Sequence, residues 1–446
     1  MRVEGPSSGR PNGESAIRTL AIGAFVVAVA YFVWRGPWRG VSDSGDLTYG
    51  YAAAQAWLVG TNPYDAVVLA ANIVKGGGPV VPMAIGHGVY FPTSIPLFLP
   101  ISVAPWSVAV LIGVALNVAG GLGIALGLTR WLGWRPTSTL GLAMIAFILA
   151  LGPIHTTISA GQTGVVATAC VVAAMLLEQS GRATWAGVGY GLASAVKIQI
   201  GLPFVAHILW RRRWSASAAT GAVLGGLTLL AVVRMAWANV PWLDTWLANL
   251  AWLTGPEGNG SPGPENPDRF SLINLEYPLR AFLPEPWAML AAVVLVGGAA
   301  LAMVALIRGR RPSQEHLALS IMAVLGLLVT YHRYYDAVAL AIPIAWAFSV
   351  LSTPLRSYGI AVLALCSPFI VPLLGALREV EAAGHLPPWL TGSVVWNGII
   401  LPHHAWALVL IVVVLLSAAW RKRGANVDFQ GLPETISGRR TDASGI

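Results

Sequence analysis

Charge is what this sequence has least of. Only 10% of its 446 residues are Asp, Glu, Lys or Arg, against about 25% in soluble globular chains. Together with a mean hydropathy of +0.68, that scarcity excludes an ordinary soluble enzyme. Cysteine is nearly missing as well. Cys170 and Cys366 both fall inside apolar runs, where thiols act as small hydrophobes, so neither a disulfide framework nor a thiolate metal site is expected. No His-x-x-x-His or Cys-x-x-Cys spacing occurs, and the adjacent His403 and His404 would point in different directions on a helix. No metal site is predicted. No glycine-rich loop runs into Lys-Ser or Lys-Thr, which leaves nucleotide hydrolysis without its phosphate cradle. No internal repeat relates the two halves. No segment between apolar runs is long enough to bury a core of its own, so no soluble domain is expected.

What is present is apolar length. Runs near the roughly 20 residues needed to cross a hydrocarbon core occupy 17–34, 105–129, 137–153, 163–178, 215–236, 286–307, 315–331, 335–351, 357–375 and 404–420. The first lacks a small-residue cleavage site and reads as a retained helix. Arg2, Arg10 and Arg18 at one end, with Arg421-Lys422-Arg423 and Arg439-Arg440 at the other, place both termini in the cytoplasm. Segment 184–209 lies between Arg182 and Arg211-Arg212-Arg213 and is interrupted by Lys197 and Pro203. It reads as two short helices that enter and return, with Lys197 near the outer turn. Such broken helices need protein or water to satisfy the freed backbone. The crossings then number about twelve; the alternative is one tilted helix.

With this path 18 of the 27 Lys and Arg, but only 7 of the 19 Asp and Glu, lie on the cytoplasmic side. That bias is the positive-inside rule, so the net charge of +8 speaks for membrane topology and not for nucleic acid. The expected organisation is a disordered cytoplasmic tail (1–16), one transmembrane domain (17–420) and a second disordered tail (421–446). Outer segments are 35–104, 237–285 and 376–403. The first should carry surface-lying amphipathic helices between Pro-rich turns. The Gly/Pro/Asn tract from Gly255 to Asn266 should be an irregular, mobile loop.

The polar oddities gather on the outer side. Asp43 and Asp46 follow the first helix. Gly60-Thr61-Asn62-Pro63-Tyr64-Asp65 forms a turn, His155 and Gln162 flank another, and Lys197 sits at the broken helix. Tyr331-His332-Arg333-Tyr334-Tyr335-Asp336 joins two later spans. Ionisable groups held against a bilayer are costly, and that cost points to function. Asp46 is the candidate general base, since a carboxylate against an apolar surface has a raised proton affinity. Its plain structural alternative is the N-cap of a helix over 47–59, and Asp43 suits a cap through Asp46 at least as well. Lys197, His332 and Arg333 form a cationic set suited to an anionic phosphate, with snorkelling to headgroups the alternative for Arg333. Asp43, Tyr64, His155 and Gln162 complete the substrate-binding candidates.

The order Asp46-Leu47-x-x-x-Tyr51, Gly60-x-Asn62-Pro63-Tyr64-Asp65 and Phe91-Pro92-x-x-x-Pro96 resembles glycosyltransferase family 87. So does Gly161-Gln162-x-Gly164 with Ala186-Gly187-x-x-x-Gly191-Leu192-x-x-x-x-Lys197. The likeness covers most of 42–214, then thins to Phe270-Ser271-Leu272 and the His332–Asp336 turn. It implies an all-α polytopic membrane protein of the GT-C fold, with its active site facing outward from a bacterial plasma membrane. Family members are polyprenyl-phosphate-mannose-dependent mannosyltransferases that invert the anomeric centre. The implied partners are therefore a polyprenyl-phosphate sugar, a glycolipid or lipoglycan acceptor and the bilayer, with the lipid-linked donor as co-substrate and no further cofactor. By the same likeness Asp46 is the catalytic carboxylate and His332 lies near the donor phosphate. Two alternatives stay open: a lipid or polysaccharide transporter or flippase, whose helices are also broken, and a transferase using another sugar such as arabinofuranose.

Overall fold

The computed structural model describes residues 12–80, 88–256, 258–263, 265–266, 268–307, 312–329, 331–371 and 373–424. Regular structure among them is helical throughout, apart from one isolated bridge between Leu272 and Arg333. The first half comprises α1 (Asn12–Arg35), α2 (Pro37–Asp43), α3 (Leu47–Val59), α4 (Ala66–Lys75), α5 (Ile95–Ser102), α6 (Trp106–Trp131), α7 (Thr139–Leu149), α8 (Gly152–Ala160), α9 (Gly164–Gln179), α10 (Ala183–Val196) and α11 (Ile198–Trp210). The second comprises α12 (Trp214–Trp237), α13 (Trp242–Thr254), α14 (Glu276–Leu279), α15 (Glu285–Leu306), α16 (Pro312–Val329), α17 (Ala341–Ser349), α18 (Arg356–Cys366), α19 (Leu373–Ala382), α20 (Pro388–Thr391) and α21 (His403–Gly424).

Among the described residues, five helical stretches are long and apolar enough to cross a bilayer: Glu14–Asp43, Trp106–Trp131, Trp214–Trp237, Glu285–Leu306 and His403–Lys422. Two bent pairs, α7 with α8 and α18 with α19, raise the number to seven. The expected total of twelve counts shorter apolar helices too. One of them, α9, has 16 residues, about 24 Å at 1.5 Å per residue, short of a core about 30 Å thick. The apolar windows of α12 and α15 are only 17% buried, and Leu229, Leu230, Leu295 and Leu301 face outward. Apolar faces this long and uncovered need hydrocarbon around them. The chain is a membrane protein.

The breaks between helices have local causes. Pro153 lies in the first turn of α8; its ring clashes with a preceding helical turn, and α7 and α8 meet at a 48° bend. At Lys197 the backbone turns extended (φ −151°, ψ 95°), ending α10 and starting α11, so the interruption expected there is present. Helix α10 lies between α9 and α12. On its α12 side, a Cβ at Gly187 would overlap the backbone of Ala216, and one at Gly191 would stand 2.8 Å from Val223 Cβ. Thr220 Oγ1 donates to the Gly187 carbonyl at 2.8 Å across this seam. The Gly-x-x-x-Gly spacing thus serves close helix packing.

The three long connecting segments meet one another. Asn62 Nδ2 donates to Thr245 Oγ1 (2.9 Å), and Asn249 Nδ2 donates to the Tyr64 carbonyl (2.8 Å). Arg378, in α19, stacks over Phe270 at 4.5 Å. Segments 35–104, 237–285 and 376–403 therefore share one end of the bundle. Glu315 binds His207, Arg211 and Arg213, and Arg213 also pairs with Glu178 in the last turn of α9, the length of α9 away from Gln162.

Three expectations need correction. Helical structure continues past residue 34 to Asp43, so the first loop begins later than the apolar run suggests. Residues 12–16 are helical; the remainder of the first tail, and residues beyond 424, lie outside the described residues. The described residues of the tract from Gly255 to Asn266 are irregular, but hydrogen bonds tie them to one another. Asn266 is buried, and its Nδ2 donates to the carbonyls of Asn259 (3.1 Å) and Ser261 (2.7 Å).

Candidate active site

Each central polar residue stands where a helix starts, stops or breaks. Asp46 precedes α3, and its amide donates to the Ala160 carbonyl at the end of α8 (2.9 Å). Gly161 follows with φ +74°, and a Cβ there would stand 2.9 Å from Leu47 Cβ. Glycine meets both demands, the left-handed backbone and the close approach of α3. That contact brings Gln162, just ahead of α9, to Asp46. Gln162 Nε2 donates to Asp46 Oδ2 at 2.8 Å. Lys197, at the break between α10 and α11, donates from Nζ to Gln162 Oε1 at 3.1 Å.

Lys197 has a second anchor. Its Nζ lies 2.5 Å from Asp336 Oδ1 and 4.7 Å from the Tyr335 ring centroid. Asp336 sits in the 3₁₀ turn Tyr334–Leu340, which Thr157 Oγ1 of α8 holds by donating to the Tyr335 carbonyl (2.9 Å). On its other oxygen Asp336 accepts from His332 Nδ1 at 3.1 Å. A continuous polar chain thus runs Asp46–Gln162–Lys197–Asp336–His332, with every member but Asp46 buried. Arg333 closes the other side. Its Nη2 donates to the Asn259 carbonyl at 2.9 Å, and its Nη1 lies 3.9 Å from Asp268 Oδ2.

Asp46 is half-buried and does not act as a helix cap through its side chain, although it occupies the N-cap position of α3. Burial pushes its carboxyl above the ordinary carboxylate value of 3.8. The Gln162 hydrogen bond and the charges of Arg333 and Lys197 pull it back, while Asp336 adds to the rise. Burial, with the Asp46 charge second, also raises the phenols of Tyr49 and Tyr90, which stay protonated beside it. The result is a carboxylate whose proton affinity is raised by burial and tempered by its cationic company. That suits a group meant to accept a proton.

Of the other candidates, Asp43, Tyr64 and His155 lie apart, and His332 ends the polar chain. Asp43 is exposed at the end of α2, and it does not cap through Asp46, whose amide is bound to Ala160. Tyr64 is buried, its ring 6.4 Å from Trp242 and 6.2 Å from Trp246. His155 packs edge-on to Tyr31 at 4.8 Å, with Nε2 2.6 Å from the Leu149 carbonyl. His332 is closed to solvent behind Asp336. A cleft of about 500 Å³, lined by Arg269, Tyr277, Arg280, Glu285 and Asn397, takes in none of the Asp46 set.

Sequence reasoning left Asp336 out of the site, along with Tyr49, Tyr90 and Tyr335. For Asp336 a signal existed. It is the only acidic residue between Glu315 and Glu379, and a lone carboxylate in so apolar a stretch needs a partner.

The family model of glycosyltransferase family 87 matches residues 89–330, more than half of the chain. The chain belongs to glycosyltransferase family 87. It is accordingly a membrane glycosyltransferase, which uses a sugar donor and an acceptor. No curated protein matches the sequence. The family 87 match takes in Gln162 and Lys197 and stops short of Asp46 and the 332–336 turn, so those residues rest on the geometry that joins them to the matched core.

Proposed function

We propose that this glycosyltransferase moves a sugar from a polyprenyl-phosphate donor to a lipid-anchored glycan at the outer face of a bacterial plasma membrane, with both termini cytoplasmic. The sugar is mannose, transferred with inversion to give an α-linkage from a β-linked donor. The single observation that carries this reading is the half-buried Asp46 carboxylate beside the Arg333 and Lys197 charges, in the turn that follows the apolar span Glu14–Asp43.

The chemistry follows from those groups. Asp46 takes the proton of an acceptor hydroxyl, and the oxygen attacks the anomeric carbon from the face opposite the phosphate. A new C–O bond forms as the bond to the phosphate oxygen breaks. The lipid phosphate leaves with the electron pair already anionic, so it needs positive charge and no general acid. Arg333 offers a planar fork for it. Both substrates, being lipid-linked, reach the site from the bilayer.

The test is direct. Protein in lipid nanodiscs is incubated with polyprenyl-phosphate mannose and a glycolipid acceptor, and products are read by mass spectrometry. Formation of a new mannosyl linkage, lost in Asp46→Asn, is expected. Product formed at the wild-type rate by that variant would remove Asp46 as the base, and transfer seen only when polyprenyl-phosphate arabinofuranose replaces the mannose donor would reassign the sugar.

A further inference from the structure

Sequence alone assigns Gln162 and Lys197 to the substrate, but the geometry points elsewhere. We propose that Gln162 and Lys197 hold no substrate but form a bracket, anchored on Asp336, that orients Asp46 and leaves its second oxygen for the acceptor hydroxyl. The inference rests on the transfer reaction proposed above and deepens it.

Hydrogen-bond polarity fixes the bracket. A lysine ammonium only donates, so the Gln162 atom 3.1 Å from it must be the carbonyl oxygen. The amide nitrogen is then obliged to face Asp46, and it does, donating to Oδ2 at 2.8 Å. Its other proton points toward the Tyr335 hydroxyl at 3.4 Å. Oε1 and both amide protons are thereby engaged, which leaves Gln162 no amide proton for a sugar. Lys197 directs two of its three ammonium protons to Gln162 and Asp336 and lies against the Tyr335 ring. It is 8% exposed, and Asp336 neutralises it at 2.5 Å, so it offers a donor phosphate little net charge. Arg333 meets the Asn259 carbonyl, the Tyr331 side chain and, at 3.9 Å, the Asp268 carboxylate; with no close carboxylate partner of the kind Lys197 has, it is the cation better placed to meet the phosphate.

Groups from every side bear on Asp46: Gln162 and Lys197, Arg333, Tyr335 and Asp336 from the 331–336 turn, Tyr49 from α3 and Tyr90 from the segment before α5. Among them Gln162 donates to the carboxylate directly, at 2.8 Å. Gln162→Glu is the discriminating change. Lys197 keeps an acceptor, while Asp46 loses its donor and gains a like charge. The acid limb of kcat/KM is expected to move alkaline by about one pH unit or more, with donor KM unchanged. Gln162→Met removes the bracket without adding charge. It should lower kcat about tenfold through lost orientation.

A readout independent of turnover separates this proposal from the reaction itself. The infrared carboxyl band that disappears in Asp46→Asn reports Asp46 protonation directly, and its midpoint should move alkaline in Gln162→Glu. An unmoved band and limb in that variant, or donor KM raised with kcat preserved in Gln162→Met, would overturn the bracket even if transfer is demonstrated. Absence of transfer in the wild type, with the band still moving, would sink the reaction and leave the bracket standing.

Discussion

Lys197 Nζ and Asp336 Oδ1 lie 2.5 Å apart, with 8% and 1% of their side chains exposed. One stands where α10 breaks into α11, the other in the turn after α16. Their union ties the matched family core to the 332–336 turn. Removing one partner strands the other charge in an apolar interior. Asp336→Ala should therefore destabilise the protein by about 3–5 kcal/mol, read from denaturant titration in detergent. Lys197→Met combined with Asp336→Leu should recover most of that stability while leaving transfer impaired. Equal destabilisation by the single and double changes would show that the pair contributes shape and not charge balance.

Replacing Asp46 by Asn keeps size and hydrogen bonding but removes the base. Transfer should fall by about 10²–10⁴-fold, with substrate binding retained. Fluorescence-detected thermal unfolding should show no loss of fold.

The pH dependence has a definite sign. Burial raises the folded-state proton affinity of Asp46 above the value of 3.8 that it has in the unfolded chain. The folded state then binds the proton more tightly, so stability is complete below 3.8 and declines as pH rises through the raised folded value. Activity runs the opposite way, because the base must be ionised. Wild-type activity should rise through a window above the ordinary carboxylate range, and Asp46→Asn should be the more stable protein at neutral pH. A pH–rate profile beside a pH series of melting temperatures checks both.

Arg333→Lys retains the charge but loses the planar fork. If Arg333 receives the departing phosphate, kcat should drop about tenfold or more, while Arg333→Ala should drop it further, about 10²–10³-fold. Retention of full activity in Arg333→Lys would argue for simple charge attraction.

Gly161→Ala tests the joint between α8 and α3. The left-handed φ and the 2.9 Å approach to Leu47 Cβ resist any side chain. A loss of about 1 kcal/mol or more in stability is expected. The loss in activity should be larger, because the displaced Leu47 is the neighbour of Asp46. Turnover and unfolding measured on one preparation separate the two.

Much of this molecule was legible in one dimension because its signals are local. Long uncharged runs demand a bilayer whatever they pack against, and a lysine and proline inside such a run mark a broken helix. Asp46 stood out because a carboxylate beside an apolar helix is costly. Other marks misled because they stop at the side chain's own neighbourhood. His155 proves to lie within α8 and Tyr64 in a turn, and the rings of both pack among aromatics. The number of full-length spans depends on where helices bend, and bends such as that between α7 and α8 reflect packing as well as Pro153.

The sequence by itself determined that this chain lives in lipid, which helices break, and which carboxylate is out of place. The tertiary structure alone decided who stands next to whom. Asp46, Gln162, Lys197 and Asp336 come from four separate helix junctions, and each hydrogen bond that joins them crosses between junctions. A buried charge must be matched by its neighbours in space, and no periodicity along the chain encodes which distant junction supplies the match.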